Sequence, residues 1–201
     1  MLDQAIIDQY DALIFDMDGT LIDTMPSHAK AWEQVGELLD YPLTSEAMFE
    51  LSGSTTFVIA RETMKRANMP EHYFDEVVKL KRQLGMELIP ENATLLPAFD
   101  IIKANFGKKP MAIGTGSHRA MVNLLDEKFN LRHYVSVIVD SDDVSNHKPD
   151  PETFLKCAEK LGVPAHRCLV FEDADLGVQA ALSGGMDVFD VRTHTLTHAT
   201  R

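Results

Sequence analysis

The sequence predicts an α/β protein, a doubly wound parallel sheet with a helical segment inserted after its first strand. Short apolar runs recur without polar alternation, as strands buried on both faces do. Stretches with helical spacing separate the later runs, the alternation that builds parallel sheets flanked by helices. About ninety residues part the first run from the second, where a simple crossover takes roughly a dozen or slightly more.

The first run, residues 12–15, ends in DALIFDMDGT with Asp16 and Asp18 one residue apart. Runs at 111–113, 135–139 and 168–171 follow, and 187–191 is a weaker fifth. Helical spacing covers 99–106, 120–129, 151–161 and 176–183, the last stopped by Gly184 and Gly185. The long gap reads as helix throughout. Pro26 takes a first-turn position, Thr44 or Ser45 caps EAMFEL, Thr55 or Thr56 opens FVIARETMKRA, and a further helix covers 71–84. The expected division is a catalytic core of residues 1–24 and 93–201 and a helical cap of 25–92, with linkers at 23–25 and 90–97. No repeat or low-complexity tract interrupts it.

Thirty-one acidic residues against 19 Lys and Arg, a net charge of -12, argue against nucleic acid or an anionic membrane as partner. An anionic substrate would need a local positive site working against that field. The two cysteines, Cys157 and Cys168, have no metal-type spacing and read as reduced thiols. No apolar run approaches the roughly 18 to 20 residues of a membrane span, and the acidic N-terminal stretch is unlike a signal peptide. A soluble, cytoplasmic monomer is expected.

Ligands of open parallel sheets collect beyond the carboxyl ends of the strands. There the sequence puts Asp16 and Asp18, then Gly114-Thr115-Gly116-Ser117, then Lys148 in NHKPDP, then Glu172-Asp173. Crowded carboxylates repel, and one would keep its proton unless a cation sat among them. Hard oxygen donors without an imidazole or thiolate cluster point to Mg²⁺. Thr115 and Gly116 are expected to open a helix whose free N–H groups suit an anion. Together these describe a metal-assisted phosphate site.

DMDGT, GTGS, the lysine of HKPDP and EDADLG resemble, in order, the four motifs of the haloacid dehalogenase superfamily. The similarity runs over nearly the whole chain, helical cap included. It is strongest to the beta-phosphoglucomutase-like branch and, within it, to the enteric fructose-1-phosphate phosphatases. The resemblance implies that Asp16 is a nucleophile forming an aspartyl-phosphate. Asp18 would protonate the leaving alcohol and then deprotonate the attacking water. Thr115 and the Gly116 N–H would hold phosphate oxygens, and Lys148 would stabilise developing charge. Mg²⁺ would be held by Asp16, the Asp18 carbonyl and Asp173. Glu172 would join directly or through water, or orient its neighbours.

Weaker signals come from the cap. His28 matches a mutase position near the nucleophile or is a plain helix-surface histidine. Asp175 orients Lys148 or caps its helix, and His147, His194 and His198 read as solvated. Mutases carry basic residues just before the cap-loop glycine and three positions after it. Here Ser52 and Thr56 stand around Gly53, which favours hydrolysis of one phosphate ester over mutase chemistry. Ser52, Thr56 and Lys81 are left to read sugar hydroxyls. The expected substrate is a small phosphorylated metabolite, fructose 1-phosphate or a related hexose phosphate. A sugar phosphomutase is the alternative, and a phospho-aspartate signalling receiver the non-enzymatic one.

Overall fold

In the computed structural model, which describes residues 2–200, α1 (Gln4–Ile7) leads into β1 (Ala12–Phe15), and β2 (Ile22–Asp23) follows a tight turn. Four helices come next: α2 (Met25–Leu39), α3 (Glu46–Glu50), α4 (Thr56–Arg66) and α5 (Phe74–Asn92). The chain continues through β3 (Thr94–Leu95), α6 (Ala98–Asn105), β4 (Met111–Gly114), α7 (Arg119–Phe129), α8 (Leu131–Tyr134) and β5 (Val137–Val139). It ends with α9 (Glu152–Leu161), β6 (Cys168–Glu172), α10 (Asp175–Ser183), β7 (Asp187–Asp190) and β8 (Thr195–Thr197).

The main sheet has the order β5-β4-β1-β6-β7-β8. Its first five strands are parallel, as expected, and β8 adds an antiparallel edge that Thr-Leu-Thr does not announce. The buried strands alternate between two cores. Leu13, Phe15, Ile113, Leu169 and Phe171 pack with α6 and α7. Ala12, Ile14, Ala112, Val170 and Val188 pack with α9 and α10 on the other face. A third apolar cluster, including Trp32, Val35, Met48, Ile59, Met64 and Val77, lies wholly within the inserted helices.

Helix ends depart from expectation at informative places. α2 begins at Met25, and its N-cap Thr24 makes no side-chain cap because its hydroxyl is used elsewhere. Ser45 and Thr55 occupy N-cap positions, also without side-chain caps. α5 runs past residue 84 and takes in Pro90, so the second linker starts at Ala93. Lys128 Nζ donates to the Pro90 and Ala93 carbonyls at 2.6 and 2.8 Å, satisfying groups exposed at that helix end. Between the linkers, β2 and β3 pair antiparallel, Ile22 opposite Leu95 and Asp23 opposite Thr94.

Cys157 and Cys168 are buried and unpaired, and burial pushes the Cys168 thiol up to about 12. Among the described residues no helix is long and apolar enough to cross a membrane. At the far edge Asp187, 2% exposed, accepts from Tyr10 Oη at 2.8 Å and the Ala199 N–H at 3.0 Å, and meets His198 Nδ1 at 2.7 Å. Burial alone would raise its carboxyl, but these partners, His198 foremost, hold it below its ordinary value. A depressed folded-state pKa gives stability that is present above the unfolded value and lost as pH falls through the folded one. Asp187→Asn should therefore cost about 1–3 kcal/mol at pH 7. Urea melts of both proteins should converge as the pH drops below about 4.

Candidate active site

The ends of β4, β1 and β6 are level, with Phe15 opposite both Ile113 and Phe171. Asp16, Thr115 and Asp173 each stand one residue beyond a strand end. The chain winds from β1 to β4 and β5 on one side and returns to β6 on the other, so the site lies where strand order reverses.

Lys148 is the centre of the charged cluster. Its Nζ donates to Asp16 Oδ1 at 2.6 Å and to Glu172 Oε1 at 2.8 Å, and it lies 4.5 Å from the Phe154 ring centroid. All three charged side chains are nearly inaccessible, at 1%, 5% and 0%. Burial disfavours the Lys148 ammonium, but the two carboxylates outweigh it and hold it charged. The excess of negative charge falls on the remaining acids. Asp16 is pushed well above the usual carboxylate range by burial and by Glu172, Asp173 and Asp18, against the pull of Lys148. Asp173 is pushed up to about 7 by burial and the Glu172 charge, although Thr20 Oγ1 donates to it at 2.7 Å.

Asp18 has the opposite setting. Thr24 Oγ1 donates to its Oδ1 at 2.7 Å, and Ser117 Oγ and Thr115 Oγ1 donate to its Oδ2 at 2.7 and 3.2 Å. Burial would raise this carboxyl, but His28, whose Nε2 lies 3.5 Å away, and the hydroxyls hold it below the usual range. The surroundings thus push Asp16 and Asp18 in opposite directions: Asp16 holds a proton or another positive charge more tightly, and Asp18 stays ionised.

Two glycines make room for these acids. Gly19 has φ +88, and a Cβ there would overlap the Asp173 carboxylate. A Cβ on Gly177 would overlap the Glu172 carboxylate, which sits against the start of α10.

The sequence-derived residues gather in two layers. Asp16, Asp18, His28, Ser52, Thr56 and Lys81, with Thr115 and Gly116, line one cavity between core and inserted helices. Lys148, Glu172 and Asp173 stand behind it. The cap loop reaches the core beside the cavity: a Cβ on Gly116 would come within 2.8 Å of the Gly53 carbonyl, and one on Gly53 within 3.6 Å of the Lys148 chain. His28 is not a solvated surface histidine; it is wedged between Asp18 and Lys81, its Nδ1 bonded to Lys81 Nζ. Burial brings the Lys81 ammonium down to about 8.

Two expectations need correction. Thr115 and Gly116 do not open a helix: α7 starts at Arg119, and its cap is His118, whose Nδ1 accepts from Met121 N at 3.3 Å. The Thr115–Ser117 turn stays irregular because its hydroxyls and backbone turn to Asp18 and Val139 instead. One Glu172 oxygen takes Lys148 and the other the Ala174 N–H at 2.6 Å, so in this structure it orients the lysine, one of the roles expected for it. Asp175 neither orients Lys148 nor caps α10; it is exposed and pairs with Arg192 at 2.6 Å. Thr20, Thr24 and Ser117 hold Asp173 and Asp18, roles that the sequence did not assign to them.

Among the described residues no three His, Cys, Asp or Glu side chains form a closed metal cage. The Asp18 carboxylate is taken by hydroxyls, which leaves two acid side chains, Asp16 and Asp173, with raised affinity for a positive charge. A small hard cation that keeps waters and meets a substrate phosphate fits this donor set.

A profile of the haloacid dehalogenase-like hydrolases matches residues 10–185. The chain is a haloacid dehalogenase-like hydrolase. It is 41% identical over 187 residues to the fructose-1-phosphate phosphatase YqaB of Escherichia coli K12, covering 92% of this chain and 98% of that one. It is 32% identical over 189 residues to a phosphorylated carbohydrates phosphatase of Thermotoga maritima, covering 92% and 87%. With these relatives, this haloacid dehalogenase-like hydrolase is a phosphatase. The crystal structure of CbbY from Rhodobacter sphaeroides in complex with phosphate shares the fold at a TM-score of 0.77, with 23% identity over 89% of this chain and 84% of that one.

Proposed function

We propose that this phosphatase hydrolyses phosphate monoesters of small sugars, hexose phosphates such as fructose 1-phosphate foremost, through phosphorylation of Asp16 and with Mg²⁺ as cofactor. The observation that carries the reading is the contrast between Asp16, paired to a fully buried Lys148, and Asp18, wrapped in hydroxyls beside it. Asp16 attacks phosphorus and the ester P–O bond breaks, while the proton on Asp18 passes to the leaving alcohol. Water then attacks the phosphorus of the aspartyl-phosphate and gives a proton to Asp18, the bond from phosphorus to the Asp16 oxygen breaks, and inorganic phosphate and the free Asp16 carboxylate are released. Asp18 is ionised before substrate enters, and an arriving phosphate dianion raises its proton affinity, which readies it as an acid. Lys148, held by Glu172, faces the negative charge that builds between Asp16 and the phosphoryl group. Asp16, Asp173 and the Asp18 carbonyl would hold Mg²⁺, which when bound offsets the charge of the carboxylates and the phosphate. On this reading, with a core and a cap of residues 25–92, the sugar lies between the two, which is supported by Ser52, Thr56 and Lys81 lining the cavity that holds Asp16 and Asp18.

A panel of phosphorylated metabolites assayed with Mg²⁺ tests this, with a sugar 1,6-bisphosphate added separately. Phosphate release from hexose phosphates, silenced by EDTA and restored by Mg²⁺, is expected. Isomerised sugar instead of free phosphate would identify a mutase. Hydrolysis unaffected by EDTA would remove the metal from the reading.

A further inference from the structure

We infer that the cap end of the cavity reads adjacent hydroxyls of the substrate's sugar through two donors, the Trp32 indole N–H and the Arg82 guanidinium. The inference rests on the phosphatase reading above and adds the groups that recognise the part of the substrate that does not react.

Both side chains line the same cavity as Asp16 and Asp18. Trp32 is completely buried, and its Nε1 has no hydrogen-bond acceptor. Buried indole N–H groups nearly always find a partner, and leaving one unpaired costs about 1–3 kcal/mol. The Arg82 Nε is likewise buried without an acceptor. Each of the other six arginines among the described residues pairs with a carboxylate, but Arg82 does not. Its guanidinium lies over the Phe57 ring, 4.7 Å from the centroid, which orients the planar fork without using its donors. Among the described residues, the only acids lining the cavity are Asp16 and Asp18, both already engaged at the reacting end. Two fixed, donor-only groups on a cavity wall await acceptor oxygens from a ligand.

The rest of the wall decides which oxygens. A guanidinium fork matches two adjacent oxygens, of a carboxylate, a phosphate or a vicinal diol. Carboxylates and phosphate dianions offer no protons, whereas sugar hydroxyls do. Ser52 and Thr56, on the same wall, supply oxygens that accept them. The combination fits a polyhydroxylated carbon chain.

The test compares kcat/KM for fructose 1-phosphate with that for ethyl phosphate, which lacks the hydroxyls, in wild type, Arg82→Gln and Trp32→Phe. The ratio should fall about ten- to hundredfold in each variant. Arg82→Lys, which keeps the charge but not the fork, should recover little of it. Trp32 is the only tryptophan, so its emission should also change when fructose 1-phosphate is titrated into Asp16→Asn, which binds without turnover. An unchanged ratio overturns the inference and leaves the phosphatase reading standing. So would an Arg82-dependent preference for a phosphorylated acid such as phosphoglycolate. A wild-type protein that hydrolyses neither ester, with no change in Trp32 emission, overturns both.

Discussion

Asp16→Asn is expected to abolish turnover, by on the order of 10⁴-fold or more, and to leave the fold in place. The amide has nearly the volume of the acid but cannot form the acyl phosphate. Structural damage should be small because the change removes one charge from an overcrowded group. Asp16 is raised by Glu172, Asp173 and Asp18, and Lys148 keeps Glu172 as a partner at 2.8 Å. Thermal melts should show a midpoint at or above that of the wild type in the absence of metal. Intact-mass spectra after incubation with substrate should show no phosphorylated protein. Activity within tenfold of wild type would mean that another group attacks phosphorus.

Lys148→Met should be damaging in both stability and rate. The methionine fills the aliphatic path of the lysine beside Phe154, but Asp16 and Glu172 are then buried together with no cation. Removing one member of a buried ion pair costs about 3–5 kcal/mol. The loss of charge stabilisation at the phosphoryl group should lower kcat by on the order of 10² to 10³. Urea unfolding of the single variant and of Lys148→Met with Glu172→Gln separates the two effects. The second substitution removes one stranded carboxylate, so it should restore part of the stability and none of the rate. A Lys148→Met protein as stable as wild type would show that Asp16 and Glu172 do not share a desolvated charge.

How much of this could be read in advance varies with the kind of feature. Parallel strands buried on both faces leave continuous apolar runs, and polar residues mark where they stop; this makes 12–15, 111–113 and 168–171 visible together with the acids beyond them. Strands such as Ile22–Asp23 and Thr94–Leu95 are too short to show any period, and the polar edge Thr195–Thr197 looks like loop. Pro90 signals a helix end, yet α5 carries it within its last turn, where Lys128 supplies the missing donors. The hydroxyls of Thr20 and Ser117 lie inside motifs, and that of Thr24 in the first linker. Small polar residues there equally suit caps and turns, and only the fold shows that they point at Asp173 and Asp18. Trp32 and Arg82 were hidden for a different reason. Helical spacing tells which face a residue occupies but not what stands across the gap, and their convergence is made by packing α2 against α5.

The ladder joining Ile22–Asp23 to Thr94–Leu95 makes everything between them, topologically, one long hairpin excursion. Strand partners in such a ladder lie only about 5 Å apart, a gap that a two-residue turn can close. The pairing therefore sets no particular length on what is threaded through that opening. An evolving lineage, or an engineer, can graft a different module there while the chemistry below keeps its register.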